Sequence, residues 1–217
     1  MDIICFPEMS ITGYISPARS PEAVLTLRSD VVRRFCAMTK NTQLTALAGI
    51  VESNQDGKPF ITQLVAADGE LQGCYRKINV ADDELESFAP GISTPIFRHQ
   101  GIPFGVAICA DVGHGELFAT YAGLGVRLVL VAAAPGLYGP QETRDWQSGY
   151  DWWLGECQRN LSKFADVGNI CVAVATQAGR TVDEDFPGGG YVFSPAGELV
   201  AATPDWSTGV LYAQVNL

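Results

Sequence analysis

The chain of 217 residues is 47% hydrophobic and 18% charged, a composition typical of a globular protein and not of a disordered one. Its formal net charge of −10, without any run of basic residues, argues against nucleic acid and anionic membrane surfaces as partners. The longest apolar run, residues 128–137, is too short to span a bilayer and contains a proline.

The cysteine and histidine content predicts a cytoplasmic protein with reduced thiols. Six cysteines are scattered through apolar runs without a CxxC pair, and the chain has only two histidines, so a zinc site is not expected. The amino terminus lacks the basic region of a signal peptide.

The first half of the chain predicts two strands, one helix and a hairpin. The helix begins at Ser20-Pro21-Glu22. Its helical spacing predicts a buried stripe of Val24, Leu27, Val31, Phe35 and Met38. Ala67-Asp68-Gly69-Glu70 is the turn of the hairpin. The predicted strands cover residues 2–6, 44–51, 60–66 and 71–78.

The second half alternates strands with helices. Residues 115–124 and 141–167 are predicted as helices, the longer one with Tyr150, Trp153 and Cys157 among the residues of its buried stripe. The predicted strands cover residues 104–109, 128–133, 170–176, 190–194, 199–202 and 210–215. This order favours an α/β fold with a mixed sheet or two sheets packed face to face, in one domain over residues 1–217.

Three of the apolar strands end in a side chain that can do chemistry. These ends are Phe6-Pro7-Glu8, Tyr75-Arg76-Lys77 and Ile108-Cys109-Ala110-Asp111. A carboxylate can accept the proton of a thiol, and an ammonium group can neutralise a developing oxyanion. The three side chains are therefore the parts of an amide-splitting cysteine hydrolase.

Several neighbouring residues are assigned structural roles or are left open. Asp111 and Glu116 are expected to cap or charge the first turn of the next helix. His114 is expected to be a loop residue or a residue at the start of that helix. An acid of the segment after Lys77 is expected near its ammonium group, but residue chemistry alone does not choose between Glu84 and Glu86.

Taken together, the three strand ends resemble the signatures of the nitrilase, or carbon–nitrogen hydrolase, superfamily. Thr12-Gly13-Tyr14 after the first signature, Glu116 after the third, and the carboxyl-terminal run from Gly188 to Val210-Leu211 are also similar to that family. The resemblance covers nearly the whole chain. It implies a four-layer α-β-β-α sandwich and assembly into homodimers or larger homo-oligomers.

The resemblance also implies a role for each site residue. Cys109 is the nucleophile, Glu8 the general base and Lys77 the stabiliser of the oxyanion, to which the backbone N–H of Ala110 also donates. Counting back from the turn Phe88-Ala89-Pro90-Gly91 favours Glu84 over Glu86 as the second active-site glutamate, and no metal or organic cofactor is expected.

The chain departs from the family pattern at three places, several of them expected around the acyl pocket. Ala110 stands where members usually carry an aromatic residue, His114-Gly115 replaces a Phe-Pro pair, and Thr176 stands where an asparagine is common. The substrate is therefore not transferable, and the chemistry predicted is hydrolysis of a small amide. The alternatives are a nitrilase, an N-carbamoyl hydrolase, or an inactive binding or scaffold protein with this fold.

The start of the chain is a larger departure. Family members have a strand and a helix ahead of the Phe-Pro-Glu strand, whereas this sequence begins inside that strand. Because a lost strand exposes backbone groups and an apolar face, we expect one of three explanations. The true start lies upstream of Met1, another chain fills the gap, or the protein is destabilised.

Overall fold

Two β-sheets with helices on their outer faces form the fold, as described by a computed structural model for residues 3–137, 139–181 and 184–215. The three α-helices are α1 Asp30–Ala37, α2 Gly115–Gly123 and α3 Trp146–Gly168. Short 3-10 helices cover Pro21–Ala23, Cys109–Gly113 and Gln141–Thr143. The strands are β1 Ile3–Cys5, β2 Thr45–Glu52, β3 Phe60–Ala67, β4 Glu70–Arg76, β5 Phe97–His99, β6 Ile102–Ile108, β7 Leu128–Ala133, β8 Cys171–Thr176, β9 Ala178–Arg180, β10 Asp185–Pro187, β11 Gly190–Phe193 and β12 Leu199–Ala202.

The first sheet has the strand order β1-β2-β3-β4, with β1 parallel to β2 and the other pairs antiparallel. The second sheet has the order β12-β11-β8-β7-β6-β5, and its central strands β6, β7 and β8 are parallel. Strands β9 and β10 form a separate ribbon. The parallel arrangement puts the carboxyl ends of β6, β7 and β8 at one edge, where loops can carry functional groups.

Helices cover both sheets and complete the predicted four-layer α-β-β-α sandwich. Helix α1 buries Val32, Phe35 and Cys36 against residues of the first sheet that include Ile50 and Leu64. Helices α2 and α3 lie on the second sheet, and every residue of β7 is buried, as expected for a strand covered on both faces. The described residues therefore form the layered α/β fold that the sequence predicts.

The first predicted helix is wrong in its extent, and two residues of its predicted buried stripe are exposed, Val31 and Met38. The serine and proline at 20 and 21 open only a short 3-10 helix, and Leu25 then forms an isolated bridge with Glu52 at the end of β2. The α-helix begins at Asp30, where the Ser29 hydroxyl accepts a hydrogen bond from the Val32 N–H at 3.3 Å. Pairing with the sheet therefore overrides the helical spacing across residues 24–28.

Strand prediction also fails at the end of the chain. Residues 210–215 were predicted as a strand but form none, because no neighbouring strand among the described residues pairs with their backbone. Three short strands, β5, β9 and β10, were not predicted, since three residues carry too little periodic signal. Asp2, at the start of the first predicted strand, lies outside the described residues.

Across the described ranges, no helix has the length and apolar character that crossing a membrane requires.

Candidate active site

The three reactive side chains predicted from the sequence come from strands of both sheets. Glu8 follows β1, Lys77 follows β4 and Cys109 follows β6. Glu8 is 0% and Lys77 1% exposed, and both lie near enough to the Cys109 thiol to interact with it electrostatically. Such burial of charged groups is tolerated only where partners compensate them, so the contacts of each group define the site.

Glu8 has both carboxylate oxygens occupied. Its Oε1 accepts a hydrogen bond from Lys77 Nζ at 3.0 Å, and its Oε2 accepts one from the Ala134 N–H at 2.9 Å. The backbone around Glu8 sits so close to β2 that a Cβ on Gly49 would lie 2.2 Å from the Met9 nitrogen. A glycine at position 49 is therefore required for Glu8 to reach the site.

Lys77 bridges two carboxylates. Besides Glu8, its Nζ contacts Glu84 Oε2 at 2.6 Å. The same Glu84 oxygen accepts the Ala81 N–H at 3.1 Å, and Glu84 is only 7% exposed. Glu86 is exposed, so the structure brings Glu84 and not Glu86 to the lysine. One ammonium between two carboxylates leaves a formal charge of −1 on the cluster.

Tyr14 extends this cluster from the turn after Glu8. Its hydroxyl donates to Glu84 Oε1 at 2.8 Å, although 70 residues separate the two in the chain. The Tyr14 ring packs edge-on against Phe186 of β10 with 5.5 Å between ring centroids. Burial first, and then the charges of Glu84 and Glu8, raise the pKa of Tyr14, so the phenol remains a donor.

Cys109 occupies a sharp turn between β6 and the short helix Cys109–Gly113. Its φ angle is +41°, a left-handed conformation that a residue with a Cβ adopts only under constraint. Strain of this kind at a strand-to-helix junction is frequent at active sites. Cys109 is partly exposed, whereas Cys36, Cys157 and Cys171 are buried.

Asp111 holds this turn in place. It is 0% exposed, and its Oδ2 accepts hydrogen bonds from the Ile108 N–H at 2.8 Å and from the Tyr75 hydroxyl at 2.7 Å. Its Oδ1 accepts from the backbone and side chain of Asn79 at 3.0 and 2.8 Å. The predicted structural role of Asp111 is therefore confirmed, and it reaches further than a helix cap because it ties the cysteine turn to the lysine segment.

The pKa shifts describe one interacting set of groups. Burial is the main cause that raises the pKa of the Cys109 thiol, the Glu8 carboxylate raises it further, and Lys77 opposes both. Burial also raises the pKa of Glu8 above its ordinary value, again opposed by Lys77. For Lys77, burial favours the neutral amine, but Glu8, Cys109 and Glu84 outweigh it and raise the pKa. The resting site therefore holds a thiol beside an ionised lysine.

The remaining predicted residues lie as follows. Ala110 belongs to the first turn of the helix Cys109–Gly113, where backbone N–H groups have no partner within the helix. His114 precedes α2, as predicted, and both His114 and Glu116 are exposed. Thr176 is buried at the end of β8, and its Oγ1 accepts from the Trp153 indole N–H at 2.8 Å.

Sequence reasoning missed two contributors to the site. The Ala134 N–H is a backbone group, so residue type gives no signal for it. The only signal in the sequence is that Ala134 directly follows the apolar run of β7, which ends at residue 133. Tyr14 was noticed as part of a turn beside Glu8, but its bond to Glu84 was not expected. That contact depends on how the loops after β1 and β4 meet, which no local pattern records.

Comparison with known proteins connects this geometry to a family. The family model described as carbon-nitrogen hydrolase matches residues 1–217. The glutamine-dependent NAD(+) synthetase of Acinetobacter baylyi is 25% identical over 225 residues, which cover 100% of this chain and 38% of that protein. The omega-amidase NIT2 of Xenopus tropicalis is 25% identical over 228 residues, which cover 99% of this chain and 76% of that protein.

Solved structures share the fold. An amidase of the nitrilase superfamily from Nesterenkonia sp. AN1 matches with a TM-score of 0.77 at 23% identity, over 96% of this chain and 75% of that chain. Another form of that amidase shows the result of Michael addition of acrylamide at its active-site cysteine.

Proposed function

The chain belongs to the carbon–nitrogen hydrolase family, and we propose that it hydrolyses the non-peptide C–N bond of a small amide through a thioester on Cys109. The observation that carries this proposal is the buried cluster of Glu8, Lys77 and Glu84 beside a strained cysteine turn. A buried cluster with net negative charge beside a thiol disfavours the free thiolate. It is therefore suited to a reaction in which proton transfer accompanies attack.

The first step joins proton transfer to bond formation. Because the pKa of Cys109 is raised, the resting nucleophile is a thiol, and Glu8 accepts its proton as sulfur attacks the amide carbon. The raised pKa of Glu8 makes this carboxylate a stronger base than an exposed glutamate. The electron pair of the carbonyl π bond moves to the oxygen, which becomes the oxyanion of a tetrahedral intermediate.

Two donors stabilise that oxyanion. Lys77 Nζ supplies a full positive charge, and the Ala110 N–H supplies a hydrogen bond from the first turn of its helix. In other enzymes one oxyanion donor contributes about 3–4 kcal/mol to transition-state stabilisation. Glu84 fixes the lysine from the other side, and its hydrogen bond from Tyr14 fixes Glu84.

The second half of the reaction returns the enzyme to its resting state. Glu8 gives its proton to the amide nitrogen, the C–N bond breaks, and ammonia or an amine leaves while the acyl group remains on sulfur. Glu8 then takes a proton from water, the hydroxide attacks the thioester, and the acid departs as Cys109 regains its proton. The sum is amide plus water giving acid plus amine.

The substrate class follows from the relatives only as a proposal. The chain spans about 38% of the length of the NAD(+) synthetase it matches, a protein whose name says that it depends on glutamine, and it also matches an omega-amidase. Terminal amides of small dicarboxylic compounds, glutamine among them, are therefore the substrates to test before longer amides. Chain-terminal carboxamides present the unhindered C–N bond that a narrow buried site can admit.

The experiment that tests the proposal is a release assay with matched variants. Purified protein is incubated with glutamine, short aliphatic amides, nitriles and ureido acids, and ammonia is measured. We expect release from at least one amide, lost in Cys109→Ala, while Cys74→Ala at the half-buried cysteine of β4 retains it. If only nitriles or only ureido acids release ammonia, the protein is instead a nitrilase or an N-carbamoyl hydrolase. Equal rates in Cys109→Ala and the parent contradict the mechanism, and no release from any compound supports the inactive scaffold.

A further inference from the structure

Two segments outside the two large sheets contact the charged groups of the candidate active site. One is the loop between β7 and α3, which opens with Ala134 and donates the N–H of that residue to Glu8 at 2.9 Å. The other is the ribbon of β9 and β10, in which Phe186 packs against the ring of Tyr14, the donor to Glu84. The placement of this loop and this ribbon therefore affects both carboxylates that pair with the lysine.

One buried acid joins the ribbon to the loop. Asp185 lies in β10, directly before Phe186. Its Oδ1 accepts hydrogen bonds from Arg180 Nε at 3.0 Å and from Gln141 Nε2 at 3.1 Å, and its Oδ2 accepts one from Arg180 Nη2 at 3.3 Å. Its backbone carbonyl accepts the Leu137 N–H at 2.9 Å. Because Arg180 belongs to β9 whereas Gln141 and Leu137 belong to the loop, Asp185 connects the two segments through both its side chain and its backbone.

The charges around Asp185 compensate one another. Arg144 of the loop lies 3.6 Å from Asp185 Oδ2 and pairs with Glu184 at 2.7 Å. Burial acts to raise the pKa of Asp185, but the hydrogen bonds from Arg180 and Gln141 outweigh it and hold the pKa below its ordinary value, so the carboxylate is ionised. Two arginines and two acids leave a formal charge of zero. The cluster is therefore suited to joining the loop to the ribbon and not to binding a charged ligand.

We propose that Asp185 is a positioning residue for the hydrolysis. It holds the loop so that the Ala134 N–H stays on Glu8. It also holds the ribbon so that Phe186 stays against Tyr14. Asp185 acts through these segments, because the hydrogen bonds of its carboxylate go to the loop and to the ribbon. This role rests on the proposed function, in which Glu8 accepts the proton of the nucleophile.

The pKa of Glu8 separates a positioning role from the other effects of losing Asp185. The Ala134 N–H lowers this pKa, so a loop that no longer holds the N–H in place lets the pKa rise. Loss of the negative charge of Asp185 would by itself lower the pKa of Glu8, because one negative charge disfavours another. A purely structural role would lower Tm and leave the pKa in the folded protein unchanged. The other titratable groups that face Glu8 are retained in the variant, and they are Lys77, Glu84, Tyr14 and Cys109. Only the positioning role therefore predicts a rise.

Asp185→Asn is the variant that tests the proposal, because asparagine has the size of aspartate without its charge. Carbon NMR titration of glutamate-labelled protein, with Glu8→Gln to assign the resonance, measures the pKa of Glu8 without turnover. We expect this pKa and the acid limb of kcat/KM to rise together by about one pH unit, the effect of losing one hydrogen bond to a charged group. Asp145→Asn is the matched control and should leave both unchanged, because Asp145 caps α3 at the end of the same loop and asparagine caps as well as aspartate.

Arg180→Lys serves as a second variant if Asp185→Asn does not fold. Arg180 is exposed and donates two hydrogen bonds to Asp185, and lysine keeps the positive charge but not this paired geometry, so a rise in the pKa of Glu8 is again expected. An unchanged or lower pKa of Glu8 in a folded variant overturns the proposal, whatever happens to Tm. If the parent releases no ammonia from any amide, the proposed hydrolysis fails instead, and the NMR titration still decides whether Asp185 holds the loop on Glu8.

Discussion

Replacing Lys77 by methionine should destabilise the protein strongly, because it removes the one cation between two buried carboxylates. Methionine keeps an unbranched side chain of similar length, so packing is nearly preserved and the charge is the main change. Glu8 and Glu84 are 0% and 7% exposed, and both pair with Lys77. Leaving a buried charge without its partner typically lowers the free energy of unfolding by about 3–5 kcal/mol.

The loss should depend on pH in a defined direction. Without Lys77, the main factor that lowers the pKa of Glu8 disappears and only the Ala134 N–H still opposes burial, so that pKa rises further above its ordinary value of 4.5. A carboxyl whose pKa is higher in the folded than in the unfolded state makes the protein less stable as pH rises between the two values. The slope is at most about 1.4 kcal/mol per pH unit for one group. The variant should therefore be closest to the parent near about pH 5 and furthest from it near about pH 8.

Thermal unfolding of the parent, Lys77→Met and the surface control Lys163→Met measures this effect. For a chain of 217 residues, about 3–5 kcal/mol corresponds to a Tm lower by about 6–20 °C. The control, on the exposed face of α3, should stay within about 0.5 kcal/mol of the parent. Adding Glu84→Gln to Lys77→Met should restore part of the loss. A Tm within about 2 °C of the parent at all pH values would mean that Lys77 does not compensate the two buried carboxylates.

Three further predictions concern the surroundings of the nucleophile. Tyr14→Phe removes the hydroxyl that donates to Glu84, and it should lower kcat about tenfold with little change in KM. An unchanged kcat in steady-state assays would mean that the Tyr14–Glu84 hydrogen bond does not position Lys77. Asp111→Ala leaves the Tyr75 hydroxyl and other buried donors unpaired, and it should lower the free energy of unfolding in urea by at least about 3 kcal/mol. A decrease below about 1 kcal/mol would contradict the structural role of Asp111. The acid limb of the kcat/KM profile should lie above pH 4.5, because the base Glu8 must be ionised and its pKa is raised; a limb below that value in a pH series excludes Glu8 as the base.

Much of this site could be predicted from the sequence because strand ends are locally encoded. A short, fully apolar run rich in valine, such as residues 128–133, favours a buried strand, and the side chain that follows such a strand emerges at the edge of a sheet. The positions of Glu8, Lys77 and Cys109 therefore followed from composition and order. Their mutual distances did not, because the pairing of β1 with β2 and of β6 with β7 joins segments far apart in the chain.

The errors have a common physical origin. Helical spacing across residues 24–28 was overruled when Leu25 paired with the end of β2, and the strand predicted at 210–215 did not form without a neighbour. Tyr14 and Ala134 were missed as contributors for the same reason, since both act through loops that meet only in three dimensions. The local sequence pattern indicates which secondary structure a segment prefers, and pairing with other segments in the fold decides whether that structure forms.

The most direct test of a thioester on Cys109 is the intact mass of the protein during turnover. Acid quenching within the first turnovers with a reactive short amide should reveal a fraction of molecules heavier by one acyl group, located on Cys109 by peptide mapping and released by hydroxylamine. Glu8→Ala should accumulate none of it. Turnover that proceeds in Cys109→Ala, or an acyl group carried by any other residue, would contradict the claim that this thiol is the nucleophile.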